Sequence, residues 1–482
     1  MQKKVFISKV FKMSFVMLLL NISNICYNIY VSSRAGAEGI GMFHLVMSVY
    51  SLSLTVSISG IGLTCTRLIA DMPSSLAFKC ADAIVVKCIK LILVPASLAC
   101  FVLFFFSNFI ASKILSNPVC GICLRLLAPT LLCVSVSSVI NGYFTSFGKI
   151  GSIGLAKVFS ESAIWFTSFF LLKIYPPEKT YMAVVASICA GVGAECLCNI
   201  FLWRRSRSFL YCSNGADYKE ILKLCTPIAV GSYLRTGLTS AENILIPSML
   251  SLFGSAAPLA SYGIIKGMTL PIVMFPTVFT AAFTSLIVPE IARRRSMGYK
   301  NGIRYISSLS VEYILKFAFL VSAIFFKWHN QISSSFFNEP DSGLYLGFLF
   351  VFPIFLFCDS VVDSILKGMD EQLASLKINI IDSVCRVISI IIFIPRFGMI
   401  AYIAIMYLSE IINWLFSYIK LKKVAGLKFP IKRGLVQPFL SALVALGVTS
   451  YLPMISVWSG ICFFSAAYIA VLSIVSAIFK NK

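Results

Sequence analysis

Long apolar runs recur along the whole chain and leave no stretch of soluble composition large enough for a separate domain. Each run holds about twenty residues, which an α-helix needs to cross a ~30 Å hydrocarbon core. Of the 482 residues, 59% are hydrophobic and only 12% are charged, whereas soluble proteins carry roughly 25% charged residues. Lipid favours helices because they satisfy their own backbone hydrogen bonds. The sequence therefore predicts an all-α polytopic membrane protein.

About fourteen runs qualify as transmembrane helices, numbered here as spans in chain order. The ninth, at 305–327, is the weakest because Glu312 and Lys316 interrupt its first half. The predicted spans are 13–32, 43–68, 84–110, 121–142, 152–173, 181–203, 221–250, 262–289, 305–327, 343–367, 376–395, 398–419, 434–453 and 457–479.

Basic residues divide unevenly between the two sides of the predicted membrane. Clusters follow spans six, eight and twelve, at 204–207, 293–295 and 420–433, and Lys480 and Lys482 end the chain. The opposite side holds only Arg34, Lys113, Lys173, Lys179, Lys327 and Arg396. Basic loops stay in the cytoplasm, so we expect both termini there, in a multi-pass protein of the cell membrane. The net charge of +22 then faces anionic lipid rather than nucleic acid.

The sequence lacks the signatures of an enzyme. Its 16 cysteines show no metal-ligand spacing, and their places in apolar runs favour a packing role. The two histidines are His44 and His329, and no phosphate-binding loop or nucleophile elbow occurs. The loops are too short for the catalytic loop of a membrane glycosyltransferase. We expect no catalysis, no cofactor and no metal site.

An internal repeat relates the first twelve spans. When the sequence is aligned with itself at an offset of 222 residues, identical residues occur at matching places in the span order. At an offset of 226 residues, Ser138 and Gly142 match Ser364 and Gly368. The pairs at the first offset are Ala35 and Ala257, Gly41 and Gly263, Thr55 and Thr277, Val56 and Val278, Ile69 and Ile291, and Ala70 and Ala292.

Six is an even number of spans, so the two copies run parallel across the membrane. Such repeats typically place a substrate path between the two halves. We predict an N-terminal six-helix lobe at 1–205, a C-terminal six-helix lobe at 206–430, and two additional helices at 431–482.

Several short motifs resemble one transporter family. The first two spans carry Gly36 to Gly41, Ser59 to Gly62 and Arg67 to Ala70, and spans seven and eight carry Thr226 to Ile228, Tyr262-Gly263, Phe275-Pro276 and Val288 to Ala292. This pattern resembles stage V sporulation protein B and its relatives. They belong to the multidrug/oligosaccharidyl-lipid/polysaccharide (MOP) exporter superfamily, with lipid II flippases and multidrug exporters of the MATE type.

The resemblance implies a two-lobed transporter that works by alternating access. Its substrate class would be an undecaprenyl-pyrophosphate-linked saccharide, such as a peptidoglycan or polysaccharide precursor, moved from the inner to the outer leaflet. We expect a monomer driven by the membrane potential, by an ion gradient with H⁺ or Na⁺ coupling, or by substrate flux. The alternative on the same fold is an ion-coupled multidrug exporter. Lipid II flippases of the superfamily carry arginines in the first helix, where this chain has asparagines.

Span one carries a polar stripe formed by Asn21, Asn24 and Asn28. Their i, i+3, i+7 spacing places them on one face of a helix. A sugar headgroup passing through a cavity would find hydrogen-bond partners there, although the same residues can also join neighbouring helices.

Span seven carries Arg235 near its middle and Glu242 two turns later. A charged residue at that depth is costly and is a functional hypothesis by default. An arginine can hold a pyrophosphate in a bidentate fork, and its sign favours an anionic substrate over a cationic drug. A structural pair with a neighbouring helix is the other interpretation.

Four further charged residues lie near the ends of spans. Arg67 and Lys266 are candidate headgroup ligands at opposite mouths, or they reach to the interface along their own stems. Asp359 and Asp363 share a face of span ten. They are candidate ligands of a coupling proton or Na⁺, or they cap the helix and pair with Lys367.

Depth along the spans predicts one structural ion pair per lobe. Lys157 of span five and Glu195 of span six lie at similar depth, as do Arg386 of span eleven and Glu410 of span twelve. Glu161 and Asp382 each lie one turn from the basic partner. We expect these pairs to clamp the lobes rather than to bind substrate.

Overall fold

The computed structural model describes an all-helical chain. The described residues are 2–58, 60–72, 74–176, 179–206, 217–337, 339–427, 429–451 and 456–480, except the side chains of 2–15, 17–18, 74–79, 150 and 478–480. No strand occurs within them. Of the patterns above, Ser59, Arg207, Lys428 and Lys482 lie outside the described residues, as does the side chain of Lys480.

The helices follow the predicted spans in order. The first half contains α1 (Gln2–Ile58), α2 (Ile61–Ala70), α3 (Ser74–Phe105), α4 (Ser107–Phe109), α5 (Cys120–Leu127), α6 (Thr130–Ser146), α7 (Ile150–Ile174), α8 (Thr180–Ser206) and α9 (Tyr218–Leu252). The second half contains α10 (Pro258–Gly263), α11 (Leu270–Met274), α12 (Thr277–Ser296), α13 (Lys300–Phe336), α14 (Pro340–Phe348), α15 (Phe352–Gly368), α16 (Gln372–Ala425), α17 (Gln437–Ser450) and α18 (Val457–Lys480). Short π-helical segments lie at Ile110–Ile114, Ile264–Thr269 and Ile431–Val436.

By length and apolar character, nine helices within the described residues can cross a membrane, or eleven when two bent pairs each count as one span. The pairs are Pro258–Met274 with Thr277–Ser296, and Pro340–Phe348 with Phe352–Gly368. The chain is therefore a multi-pass membrane protein.

Two of these helices are too long for a single crossing. At 1.5 Å per residue, the 57 residues of α1 and the 54 of α16 would reach about 80 Å, more than twice the hydrocarbon core. Each helix breaks at a glycine, Gly36 (φ 67°, ψ 174°) or Gly398 (φ 61°, ψ −142°). A Cβ atom makes such backbone angles costly. The breaks divide α1 between spans one and two, and α16 between spans eleven and twelve.

The weakest predicted span, 305–327, is helical and lies within α13. This helix runs for 37 residues from Lys300 to Phe336, with a kink at Trp328 (φ −117°, ψ 17°) just after the predicted span, and it is one of the nine helices able to cross a membrane. The two charges that interrupt the apolar pattern pair with each other, since Lys316 Nζ donates to Glu312 Oε1 one turn away. Both side chains are mostly buried, and their pairing lowers the cost of the charges in the span.

The chain divides into two compact units, Met1–Ser248 and Met249–Lys482. This division lies later than the lobe boundary at residue 205 that the repeat predicts, because α9 packs against α1 in the first unit. The lobes of the repeat and the two additional helices at 431–482 remain a prediction.

Close helix contacts recur in the two units at the offsets of the repeat. A Cβ atom on Gly121 would lie 2.8 Å from Oδ1 of Asn108, and one on Gly343 would lie 2.6 Å from Oδ1 of Asn330. Both residues of the second pair follow those of the first by 222 positions. A Cβ atom on Gly142 would lie close to the carbonyl oxygen of Gly62, and one on Gly368 would lie close to that of Val288. The residues of these two contacts are 226 positions apart in the sequence. The two units therefore reuse the same helix crossings.

Candidate functional site

The three asparagines of span one lie in different surroundings. Asn21 and Asn24 are exposed, and Asn28 is half-buried. Asn24 forms a side-chain hydrogen bond with Glu161 of α7, and Asn28 Oδ1 accepts a hydrogen bond of 3.3 Å from Ser32 Oγ. Exposure and contact with α7 therefore coexist at Asn24, and the choice between cavity lining and helix association remains a prediction.

An aromatic contact fixes the orientation of span one. Trp165 Nε1 of α7 donates to Ser23 Oγ at 3.0 Å, and the ring of Tyr27 meets that of Trp165 edge to face at 5.4 Å. The hydroxyl of Tyr27 is 2.6 Å from Ser168 Oγ. These contacts hold one face of span one against α7.

A polar cavity of about 250 Å³ lies in the first unit, between α6, α7 and α8. Ser137, Ser138 and Asn141 line it, together with Lys157 and Glu195. Lys157 Nζ is 3.6 Å from Glu195 Oε1, so the ion pair that depth predicted is present in the structure. Asn141 Oδ1 is buried without a hydrogen-bond partner among the described residues, which leaves an acceptor at the cavity.

The corresponding network in the second unit is centred on Asp382, which is buried. Its Oδ2 accepts a hydrogen bond from Arg386 Nη2 at 2.9 Å, and its Oδ1 accepts one from Ser409 Oγ at 2.6 Å. The charge of Arg386 also acts on Glu410. Arg386 thus forms its ion pair with Asp382, one turn away in the same helix. The Arg386–Glu410 pair remains a prediction.

Asp359 and Asp363 belong to the same network. Asn413 Nδ2 donates to Asp359 Oδ2 at 3.2 Å, and Ser375 Oγ donates to Asp363 Oδ1 at 2.6 Å. Lys367 Nζ lies 3.8 Å from Asp363 Oδ2, so the predicted alternative of pairing with Lys367 is present. Asp359 is buried, and its Oδ1 has no hydrogen-bond partner among the described residues.

We call Asp359, Asp363, Asp382 and Glu410 the acidic cluster. The other three carboxylates all act electrostatically on Asp359. Arg386 and Lys367 supply the nearby positive charge. Among the described residues, no group of three His, Cys, Asp or Glu side chains is arranged to hold a metal ion.

Arg235 is the midpoint of the 35-residue helix α9, and its side chain is exposed. The described part of the chain offers its guanidinium no hydrogen bond and no acidic partner. Glu242, two turns later, is instead buried, with 5% of its surface exposed. The two residues therefore differ in burial although their i, i+7 spacing places them on one face of α9, and the exposed Arg235 is available to a ligand.

A row of small hydroxyl residues joins α1 to α9, and the sequence did not predict it. Ser240 Oγ donates to the Ser48 carbonyl oxygen at 2.8 Å, and Thr55 Oγ1 donates to Thr236 Oγ1 at 3.1 Å. We call these four residues the hydroxyl seam. The spacing of hydroxyl residues along span two was the available signal, but it does not identify the partner helix.

The two remaining candidates differ in exposure. Arg67 is exposed in the last turn of α2. Lys266 is half-buried in the π-helical segment after α10, and its Nζ lies 5.7 Å from the centre of the Tyr402 ring. Because Tyr402 is buried, this cation–π contact anchors Lys266 within the second unit.

Comparison with known proteins identifies the fold. No protein-family profile matches the sequence. Stage V sporulation protein B of Bacillus subtilis (strain 168) is 16% identical over 371 residues, which cover 74% of this chain and 72% of that protein. The structure of the lipid II flippase MurJ in an inward closed conformation matches with a TM-score of 0.73 and 14% identity, over 98% of this chain and 99% of that one.

An inward-facing multidrug resistance MATE transporter of the MOP superfamily matches with a TM-score of 0.68 and 16% identity, over 84% of this chain and 96% of that one. The chain has the MOP superfamily fold. In the comparison with MurJ, the shared fold covers almost the whole chain. This match confirms the predicted fold class, an all-α polytopic membrane protein. The distant similarity to stage V sporulation protein B agrees with the motifs in the first two spans and in spans seven and eight.

Proposed function

We propose that this protein is a transporter that flips an undecaprenyl-pyrophosphate-linked saccharide across the cell membrane by alternating access. The observation that carries the proposal is Arg235, an exposed guanidinium at the midpoint of α9. It lies about 25 Å from either end of that helix. In the predicted span seven, whose helix α9 is not among the nine that qualify by apolar character within the described residues, a lone arginine would cost roughly 3 kcal/mol on insertion scales. A pyrophosphate would satisfy this charge with a bidentate contact.

Two further features support a saccharide-bearing lipid as the substrate. The exposed amides of Asn21 and Asn24 offer both donors and acceptors to sugar hydroxyl groups. The structure of the lipid II flippase MurJ matches over 98% of the chain. The same fold therefore serves a protein that flips lipid II. Arg67 and Lys266 would contact the headgroup at opposite mouths of the transport path. Glu242, which is buried, would contribute a negative charge to the substrate site.

Energy coupling is assigned to the acidic cluster. Asp359 and Asp363 would take up a proton or Na⁺, because Asp359 is buried with its Oδ1 lacking a hydrogen-bond partner among the described residues, and Asp363 lies 3.8 Å from Lys367 on the same helix. Lys157–Glu195 and Arg386–Glu410 would keep the helices of each lobe together. These pairs have a structural rather than a substrate-binding role in the proposal.

The same acidic cluster favours a second candidate function, an ion-coupled multidrug exporter. The MATE transporter matches with a TM-score of 0.68, so the fold serves either activity. The two functions differ in the charge of the substrate. An exposed arginine at the midpoint of α9 repels cationic drugs, and we therefore place the flippase first.

Complementation tests the proposal directly. A strain depleted of its lipid II flippase would receive the wild-type chain, Arg235→Gln, or the control Arg433→Gln, which removes an exposed arginine outside the candidate site. We expect the wild type and the control to restore growth and prevent accumulation of lipid-linked precursors, and Arg235→Gln to fail at equal membrane abundance. Failure of all three, together with drug efflux from vesicles containing purified protein, would favour the exporter.

A further inference from the structure

A second positively charged feature lies in the second unit, apart from Arg235. Three segments enclose a cavity of about 250 Å³, which we call the basic pocket: residues 295–304 between α12 and α13, Met369 after α15, and residues 424–426 at the end of α16. The charge distribution of the sequence predicts that all three segments lie on the cytoplasmic side. The pocket thus forms where three predicted cytoplasmic connections meet.

The basic side chains of this pocket are incompletely neutralised. Arg295 Nη1 lies 3.3 Å from Oδ2 of Asp370, whose side chain is 78% exposed. Among the residues that the structure describes, Lys300 and Arg304 have no acidic partner. The lining therefore carries three cations against one solvent-exposed carboxylate, which favours an anionic ligand.

Backbone geometry adds to this preference. Gly426 has a φ of +63°, and a Cβ atom there would lie 2.6 Å from Arg304 Nη2, so the guanidinium lies directly against the bare glycine. The pocket thus combines guanidinium and ammonium donors.

The rim of the pocket indicates its place relative to the bilayer. Met297, Tyr299 and Tyr305 lie next to the lining residues in sequence, and each has more than half of its surface exposed. Exposed tyrosines beside basic residues are typical of the headgroup level of a membrane. An anion bound here would therefore belong to the membrane surface rather than to the bulk cytoplasm.

We propose that the basic pocket binds the phosphate group of an anionic phospholipid in the cytoplasmic leaflet. Arg304 and Lys300 hold the phosphate oxygens, and Gly426 keeps the guanidinium of Arg304 in place. Basic pockets between membrane helices on the cytoplasmic side recognise such headgroups. The lipid is a bound partner of the second unit, distinct from the transported saccharide.

Lipid titration followed by native mass spectrometry tests this site. The full-length protein would be titrated with phosphatidylglycerol or phosphatidylcholine as the probe. The test variant is Lys300→Gln/Arg304→Gln, and the control is Lys432→Gln/Arg433→Gln, which removes the same charge from exposed positions outside the lining. We expect the test variant to bind phosphatidylglycerol roughly thirtyfold more weakly than the wild type, and the control to bind it as the wild type does.

Gly426→Ala separates a built pocket from general electrostatic attraction. It keeps every charge but places a methyl group against Arg304, so we expect it to weaken phosphatidylglycerol binding as well. Equal binding by all four proteins, or a loss in the control equal to that in the test variant, would overturn the proposal. So would full competition by inorganic phosphate at the same concentration as the lipid, which would indicate a site for free phosphate.

Discussion

Lys157 on α7 and Glu195 on α8 face each other across the wall of a polar cavity, with Nζ and Oε1 3.6 Å apart. The lysine side chain is 45% exposed, whereas the glutamate is only 18% exposed. The two side chains therefore differ in their contact with solvent, and the charge of Glu195 relies on the ion pair more than that of Lys157 does. Removal of the lysine would leave a largely buried carboxylate without its cation, next to the unpartnered Asn141 Oδ1.

Lys157→Met is accordingly expected to destabilise the protein more than Lys157→Met/Glu195→Gln. The reason is that the double variant removes the orphaned charge as well as its partner. A double-mutant cycle, measured by thermal unfolding in detergent, should give a coupling energy of about 1 kcal/mol. Additive losses from the two single variants would show that the pair does not join α7 to α8.

Asp382 is expected to be the most sensitive member of the acidic cluster. Asp382→Ala removes the acceptor of both Arg386 and Ser409 and should cost about 3 kcal/mol of unfolding free energy. Ser409→Ala removes one hydrogen bond and should cost about 1 kcal/mol. Asp370→Asn is the control, since that side chain is 78% exposed and asparagine tolerates the left-handed backbone at this position (φ 63°), so it should leave the unfolding temperature nearly unchanged. Equal losses from Asp382→Ala and Asp370→Asn would contradict the network.

Gly142 gives a test of helix packing with a matched control. A Cβ atom on Gly142 would lie 2.5 Å from the carbonyl oxygen of Gly62, whereas one on Gly193 would have nothing within 4 Å. Gly142→Ala should therefore lower the unfolding free energy by about 1–3 kcal/mol. Gly193→Ala should leave it unchanged or raise it slightly, because alanine favours the helix. The opposite order would show that α2 and α6 do not approach this closely.

The hydroxyl seam is open to cross-linking. With Thr55 Oγ1 and Thr236 Oγ1 3.1 Å apart, cysteines at these positions should form a disulfide under mild oxidation in a background without other cysteines. Peptide mass spectrometry would detect the linked pair. Cysteines at Leu63 of α2 and Leu234 of α9, two exposed positions, are the control and should remain unlinked. If α1 and α9 separate during transport, oxidation should also stop flipping and a reducing agent should restore it.

Properties that depend on the position of a residue along its own helix were predictable from the sequence. The apolar runs indicated the order of the helices, and the similar depths of Lys157 in α7 and Glu195 in α8 agree with the contact between them. The i, i+4 spacing of Glu312 and Lys316 also allows their pairing within α13, although in the sequence the same charges make this span the weakest.

Properties that depend on how helices rotate and meet were not predictable in the same way. The hydroxyl seam needs the partner of α1 to be known, and serines and threonines are common in membrane helices. The burial of Glu242 beside an exposed Arg235 is set by neighbouring helices rather than by spacing along α9. The basic pocket combines three connections that lie far apart in the chain, so no local pattern indicates it.

The contact between α1 and α9 determines where the polypeptide can be divided into two genes. A cut between α8 and α9, at the boundary of the sequence repeat, would leave α9 on the second fragment and remove Thr236 and Ser240 from their partners on α1. A cut between Leu252 and Pro258 keeps the hydroxyl seam in one fragment. Co-expressed halves should therefore reassemble from the later division, and a split reporter placed there would follow assembly of this protein in living cells.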